Sequence, residues 1–399
     1  MPGGNRLTAP GAGLDGADLD RTARAVVAAA AAWARDFVAG RAEDWERERR
    51  FAREAFDAAA AAGFTALTVP VADGGSGLGP VALARVFEEI AAVDLAVAFS
   101  LVCHNNLAGA VSRLAPPALR ERALPALVSG EKIGAFLLTE PDVGSDVAAI
   151  GLTAKRDGDD WVLDGDKAWV TNGTAAGLLS VYAQTDPSRG HRGIAAFLVD
   201  VPADAASAAA AGVVREDPYP LLGGHAAGVN GITFRQCRVG DDDLLVPPGE
   251  GFAAALSGID LARVLVSAMC CGMMRTALET AVDCVRRRQA FGARVADFQG
   301  VRFALADVAT DLEAARLLAG RAARALESGE TAALAAAHAK KFATRAAERR
   351  IADCMQAMGA AGARRDHPLP RHLAMARLTQ YMDGTTEIQN VVIARALLD

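Results

Sequence analysis

Four short segments of this chain carry side chains whose types and spacing suit chemistry. Asp383 stands directly before Gly384, Thr385 and Thr386, with Glu387 closing the segment, so a carboxylate is set in a turn where it can take up a proton. The plain alternative is a solvated aspartate, because Asp-Gly pairs are common in turns. Thr139 and Ser145 bracket a loop containing Gly144, whose missing Cβ permits an unusual backbone path. Their hydroxyls and the neighbouring N–H groups can hydrogen-bond a pyrophosphate or the polar edge of a ring, although the segment alone also reads as an ordinary polar turn. Trp169, two places before Thr171, reads by itself as a core aromatic, given the area an indole buries. Arg288 ends the basic run Arg286-Arg287-Arg288; its planar fork suits a pyrophosphate, and a solvated helix end is the alternative.

These segments need a scaffold, and the composition allows a large one. The chain has 399 residues, 52% of them hydrophobic, enough to bury a substantial core in two or three packed subdomains. Its 42 basic and 48 acidic residues give a net charge of -6 without long like-charge blocks, which argues against nucleic acid as the main partner. The alanine-rich run from Ala25 to Ala34 is too short to span a bilayer and reads as a soluble helix. The first residues carry no recognisable export signal, so no membrane partner is expected and a cytoplasmic location is the default. Six dispersed cysteines form no CxxC and six histidines form no HExxH, so the thiols read as buried and free and no catalytic metal is expected.

From residue 20 to 131 the spacing is helical, broken at Gly63, at Gly74-Gly75-Ser76-Gly77 and at Pro116-Pro117. Between 132 and 245 the texture changes to strands. Asp160 to Leu163 and Lys167 to Thr171 predict a β-hairpin turning at Asp164-Gly165, with further strands at Gly193 to Val201 and Gly231 to Val239. From 246 to 399 helical periodicity returns, and Phe298, Val301, Leu305, Val308 and Leu312 form one stripe. Strands clustered between two helical regions predict an α+β chain and not a doubly wound dinucleotide fold, and no GxGxxG follows a predicted strand.

Leu138 to Asp146 (LTEPDVGSD) resembles the TEPxxGSD loop of the acyl-CoA dehydrogenase family, and Trp169-Val170-Thr171-Asn172-Gly173 follows at the family's separation. Arg288-Gln289-Ala290-Phe291-Gly292 with Gln299 resembles the RxxFG element and its downstream Gln. Asp383-Gly384-Thr385-Thr386-Glu387-Ile388-Gln389 resembles the EGTxxIQ element, and Gln356 to Ala360 another family segment. The resemblance runs from about residue 20 to the end. It implies an N-terminal helical domain, a central β-barrel-like domain and a C-terminal four-helix bundle, with FAD as cofactor. Trp169 would pack by the flavin ring and Thr171 would donate toward it, with Phe136 and Leu138 completing the wall. Thr139, Gly144, Ser145, Thr385 and Glu387 would add cofactor contacts. Arg288, Phe291, Gln299, Gln356, Gly359 and Ala360 would reach FAD held mainly by a neighbouring subunit, which implies a homotetramer built as a dimer of dimers.

For the chemistry, the resemblance implies α,β-dehydrogenation of an acyl thioester on CoA or on acyl carrier protein, with an electron-transfer flavoprotein as acceptor. The base position, Glu in most members, is Asp383, which shortens the reach by roughly 1.5 Å, on a scale where about 1 Å can cost about a hundredfold in rate. The site that bears an alternative base in some relatives is Ala262. Ser145, Gly384, Asp260 and Arg263 match substrate-lining or bracing positions, although Asp260 and Arg263 also read as a helix-surface ion pair. His225 stands where many relatives carry Arg. Because nitroalkane-oxidising relatives use Asp as base, a flavin oxidase or monooxygenase is the competing expectation, and a scaffold protein without turnover is a third.

Overall fold

A computed structural model of the protein describes residues 19–398; the N-terminal stretch read for an export signal lies outside them. Six helices open the fold: α1 (Arg21–Trp33), α2 (Ala42–Glu48), α3 (Arg53–Ala61), α4 (Pro80–Ala91), α5 (Leu95–Leu114) and α6 (Pro117–Val128). Their limits follow from local chemistry. Asp20 caps α1 by accepting from the Ala23 N–H at 2.7 Å. Gly63, at φ 79°, lies just past α3, and Pro80 and Pro117 start α4 and α6, where their missing N–H costs nothing.

The α5 helix is apolar on nearly every side, and 83% of its most apolar window is buried. By length and composition it and the segment Gly251–Arg287 could cross a bilayer. Both instead pack within the protein, as a helix hydrophobic all round does in a large core.

The strands of the central sheet are β1 (Gly134–Leu137), β2 (Thr153–Asp157), β3 (Asp160–Val170), β4 (Leu178–Gln184), β5 (Ile194–Asp200), β6 (Val213–Arg215), β7 (Asn230–Gly240) and β8 (Leu244–Val246), with a short helix α7 (Ala205–Ala210) before β6. They order as β6-β7-β3-β2-β4-β5-β8, with β1 parallel to β4. The expected barrel does not close: β6 and β8 remain at opposite ends, and β2 meets β4 only through Thr153 and Gln184. The expected hairpin is also displaced. The chain turns at Gly158 (φ 66°) between β2 and β3, whereas Asp164 and Gly165 lie inside β3 at a register shift against β7. Gly165 is needed there because a Cβ would come within 3.0 Å of the Leu152 Cα.

The C-terminal region holds α8 (Gly251–Ser257), three long helices α9 (Ile259–Arg287), α10 (Gln299–Glu327) and α11 (Ala333–Met358), then α12 (Leu369–Thr379) and α13 (Thr386–Leu398). The predicted stripe on α10 enters the core only from its middle: Val308 and Leu312 are buried, Leu305 packs at the margin, and Phe298 is exposed.

One hydrophobic cluster joins α1, α4 and α5 to α9, α10 and α11, so both helical regions share a core. Gly272 on α9 brings the helices together, since a Cβ would sit 2.2 Å from the Glu88 carbonyl oxygen on α4. Fully buried Glu88 is held by Arg85 at 2.5 Å and Arg316 at 2.7 Å. On its other flank α5 lies against β1, which places it between the sheet and the C-terminal helices.

Candidate active site

Asp383 and Gly384 form the turn between α12 and α13, with φ of 49° and 90°. Aspartate tolerates the left-handed region better than most non-glycine residues, because its short polar side chain bonds locally. Three side chains hold this turn from inside. The Arg263 Nε donates to the Asp383 carbonyl at 3.3 Å, the Gln389 Nε2 to the Gly384 carbonyl at 2.9 Å, and the Lys340 Nζ to the same carbonyl at 2.6 Å. The Asp383 Oδ2 is buried and has no hydrogen-bond partner. Burial pushes the carboxyl up to about 6 despite the opposing pull of Lys340 and Arg263. Asp260 and Arg263 do form an ion pair, at 3.0 Å, but Arg263 is buried beside the turn and not on the helix surface.

Thr171 reaches this region from the end of β3. Two left-handed residues, Trp169 (φ 59°) and Asn172 (φ 67°), shape the segment. Asn172 is fully buried and braces it: its Oδ1 accepts from the Ser100 hydroxyl at 2.6 Å, its Nδ2 donates to the Ser100 and Gly134 carbonyls, and its N–H donates to Ala227. One turn beyond Ser100 on α5, Cys103 lies beside the Thr171 side chain. Burial, with the Asp383 charge adding to it, pushes the Cys103 thiol well up. Asp383, Thr171 and Cys103 therefore converge from three regions of the chain. The reading of Cys103 as one more buried thiol holds only in part, since the residue is half-buried at this junction.

Trp169 is not a core aromatic. It is 58% exposed and touches the Tyr219 ring edge-on at 5.0 Å. Leu138 is buried, and Phe136 is half-buried against Tyr182. Behind them, fully buried Lys167 donates to the Leu138 carbonyl at 2.9 Å and to Glu140 at 2.8 Å, while Glu140 accepts from the N–H groups of Gly151 and Leu152. This clamp fixes the loop that carries Thr139, Gly144 and Ser145. Gly144 and Ser145 are exposed, and Gly144 does not adopt the unusual path expected of it: its φ is not positive, and a Cβ would meet only Thr139, at 4.0 Å.

A second group lies on the surface. Arg288 donates to the Met358 carbonyl at 2.9 Å and lies against Gly359, so the RxxFG segment and the Gln356 to Ala360 segment meet. Phe291 is 99% exposed, and Gln299, Gln356, Gly359 and Ala360 are also exposed. Thr385 and Glu387 lie at the start of α13, beside the Asp383 turn; the Glu387 carboxyl is lowered by its own N–H and by the Thr385 hydroxyl. His225 does not reach the Asp383 turn through any hydrogen bond; its Nδ1 meets Glu46 at 2.9 Å, and its Nε2 is buried without a partner.

Sequence profiles of the acyl-CoA dehydrogenase N-terminal, middle and C-terminal domains match residues 20–131, 135–237 and 249–398. The chain belongs to the acyl-CoA dehydrogenase family. It is 36% identical over 364 residues to a protein of Mycobacterium leprae named as a probable acyl-CoA dehydrogenase, fadE25, covering 90% of this chain and 91% of that one. Among solved structures, butyryl-CoA dehydrogenase from Megasphaera elsdenii superposes with a TM-score of 0.90 at 30% identity, covering 96% and 99% of the two chains. The prolyl acyl carrier protein oxidase AnaB superposes with a TM-score of 0.88 at 26% identity, covering 95% and 100%. As a member of this family of flavin-dependent oxidoreductases, the chain is an enzyme.

The residues fit the flavin that acyl-CoA dehydrogenases use. An exposed indole, a half-buried threonine hydroxyl, an exposed serine and a buried carboxylate oxygen lacking a partner are all held by braced backbone. Lys340, Cys103 and Lys167 lie outside the motifs, and Asn172 lies within one whose bracing role no local signal gave. For Lys340 a signal existed: it falls on the helical stripe of Ala336, Ala343 and Ala347, where a charge must be buried.

Proposed function

We propose that the protein removes the α-proton and β-hydride of a saturated acyl thioester, with Asp383 as the base. The observation that carries this reading is the Asp383 carboxyl, held in a fixed turn with an unpartnered buried oxygen and raised to about 6. Such a group is ionised at neutral pH and still basic enough to accept a proton, which is what general base catalysis favours. FAD, when bound, supplies the hydride acceptor. Trp169, Thr171, Thr139 and Ser145 would hold it, with Phe136 and Leu138 behind, and Arg288, Phe291, Gln299, Gln356, Gly359 and Ala360 would contact FAD across a subunit boundary in a homotetramer.

Arg263 and Lys340 place positive charge beside the turn, which opposes the burial cost of ionised Asp383. Asp260 keeps Arg263 oriented. Both butyryl-CoA dehydrogenase and the carrier-protein oxidase support a thioester substrate, on CoA or on acyl carrier protein, and an electron-transfer flavoprotein is the expected acceptor.

Anaerobic addition of saturated acyl-CoAs should bleach the visible flavin band of the wild type, and Asp383→Asn should slow that bleaching by about a hundredfold or more. If every acyl-CoA and carrier-bound acyl chain leaves the flavin oxidised, the dehydrogenation reading fails. Aspartate in the base position and the likeness to an oxidase favour one alternative, reaction of the reduced enzyme with oxygen. Substrate-dependent oxygen consumption matching turnover would establish it.

A further inference from the structure

Lys340 lies on α11, outside every motif that marks the site, and is fully buried. Its Nζ donates to the carbonyls of Gln380 at 3.2 Å and Gly384 at 2.6 Å, one on each side of Asp383. We propose that Lys340 is a positioning residue for Asp383, gripping the turn from both sides and holding its carboxyl in the ionised form that proton abstraction requires. The proposal rests on the reading of Asp383 as base.

Charge distribution around the turn supports this assignment. Arg263, the other cation, is already paired with Asp260 on the same helix, so part of its field is cancelled locally. Among the described residues Lys340 has no carboxylate within ion-pair distance; its hydrogen bonds go to neutral carbonyls. Its charge is left to act on Asp383. The remaining facing groups are Cys103 from α5, Thr171 from the end of β3, Cys270 from α9 and Glu387 at the start of α13.

The influence is mutual. Burial drives Lys340 down to about 8, and Asp383 is the strongest opposing pull; for Asp383, Lys340 is likewise the strongest pull against burial. A helix that needed only packing here would be served by an apolar side chain, because a buried ammonium carries a large desolvation cost.

The test compares FAD-loaded wild type with Lys340→Met, Lys340→Arg and Asp383→Asn. Asp383 titration is read directly by pH-difference infrared spectroscopy, its carboxyl band being the one that Asp383→Asn lacks. Its influence on reaction is read from the pH dependence of anaerobic flavin reduction. In Lys340→Met the Asp383 titration should move up by about one to three pH units, the range for losing a close opposite charge, and the acidic limb of the rate profile should move with it. Lys340→Arg should restore most of the wild-type titration. If Lys340→Met does not fold, Lys340→Gln, which can still donate to a carbonyl but carries no charge, must show the same shift. An unmoved Asp383 band in either folded neutral variant overturns the Lys340 assignment and leaves the base reading intact. Wild-type reduction rates in Asp383→Asn overturn the base reading, and the role of Lys340 falls with it.

Discussion

Asp383 sits at φ 49°, where a short polar side chain is tolerated, and its carboxyl is stripped of water by the elements packed around it. The departure from glutamate thus coincides with a backbone conformation that favours aspartate. Its raised value also has a consequence for stability. The folded protein holds the Asp383 proton more tightly than the unfolded chain, so wild type loses stability as pH rises from the ordinary 3.8 through about 6. Asp383→Asn avoids that loss. Its melting temperature should exceed that of wild type at pH 8, and the gap should shrink steadily toward pH 4.5 in scanning calorimetry. A gap that is constant with pH would show that Asp383 is not a strained acid.

Among the elements, the start of the loop that carries Thr139, Gly144 and Ser145 depends on a charge buried under it. Lys167 is fully buried, its pKa brought down to about 8 by burial, and it ties Glu140 to the Leu138 carbonyl. Lys167→Met would leave Glu140 buried without its cation, at a cost of about 3–5 kcal/mol. Urea unfolding should show that loss, with weaker FAD retention on gel filtration. The double variant Lys167→Met/Glu140→Gln should recover a large part of the stability, because the stranded charge is gone; if it does not, packing and not charge pairing is what Lys167 contributes. The same stretch shows how local signals mislead. Asp164-Gly165 has the composition of a tight turn, but Gly165 is there to let Leu152 approach, and Gly158 makes the actual turn.

Across the whole molecule, the residues divide between an inner junction and an outer face. Phe291 is 99% exposed and adopts φ 52°, a combination that costs both apolar exposure and backbone strain in an isolated protomer. Burial against a second copy would offset the exposure. Phe291→Asp should therefore leave far-ultraviolet circular dichroism unchanged while reducing the assembly size seen in sedimentation velocity and lowering FAD occupancy. Unaltered assembly and occupancy would rule out a cross-subunit role for this segment.

The order of helices, strands and helices was legible in the chain, because periodicity and turn residues are local properties. So were the loop around Ser145, the Trp169–Thr171 pair and the Asp383 turn, each a short contiguous motif. Tertiary structure alone decided that the sheet stays open, that Trp169 faces outward, and that Cys103 from α5 meets Thr171 and Asp383. The helical stripe marks Lys340 for burial, but only the tertiary structure sets it beneath an aspartate more than forty residues further along the chain. Burial and electrostatics are set by which distant segments exclude water from one another, and no local pattern of residues encodes that exclusion.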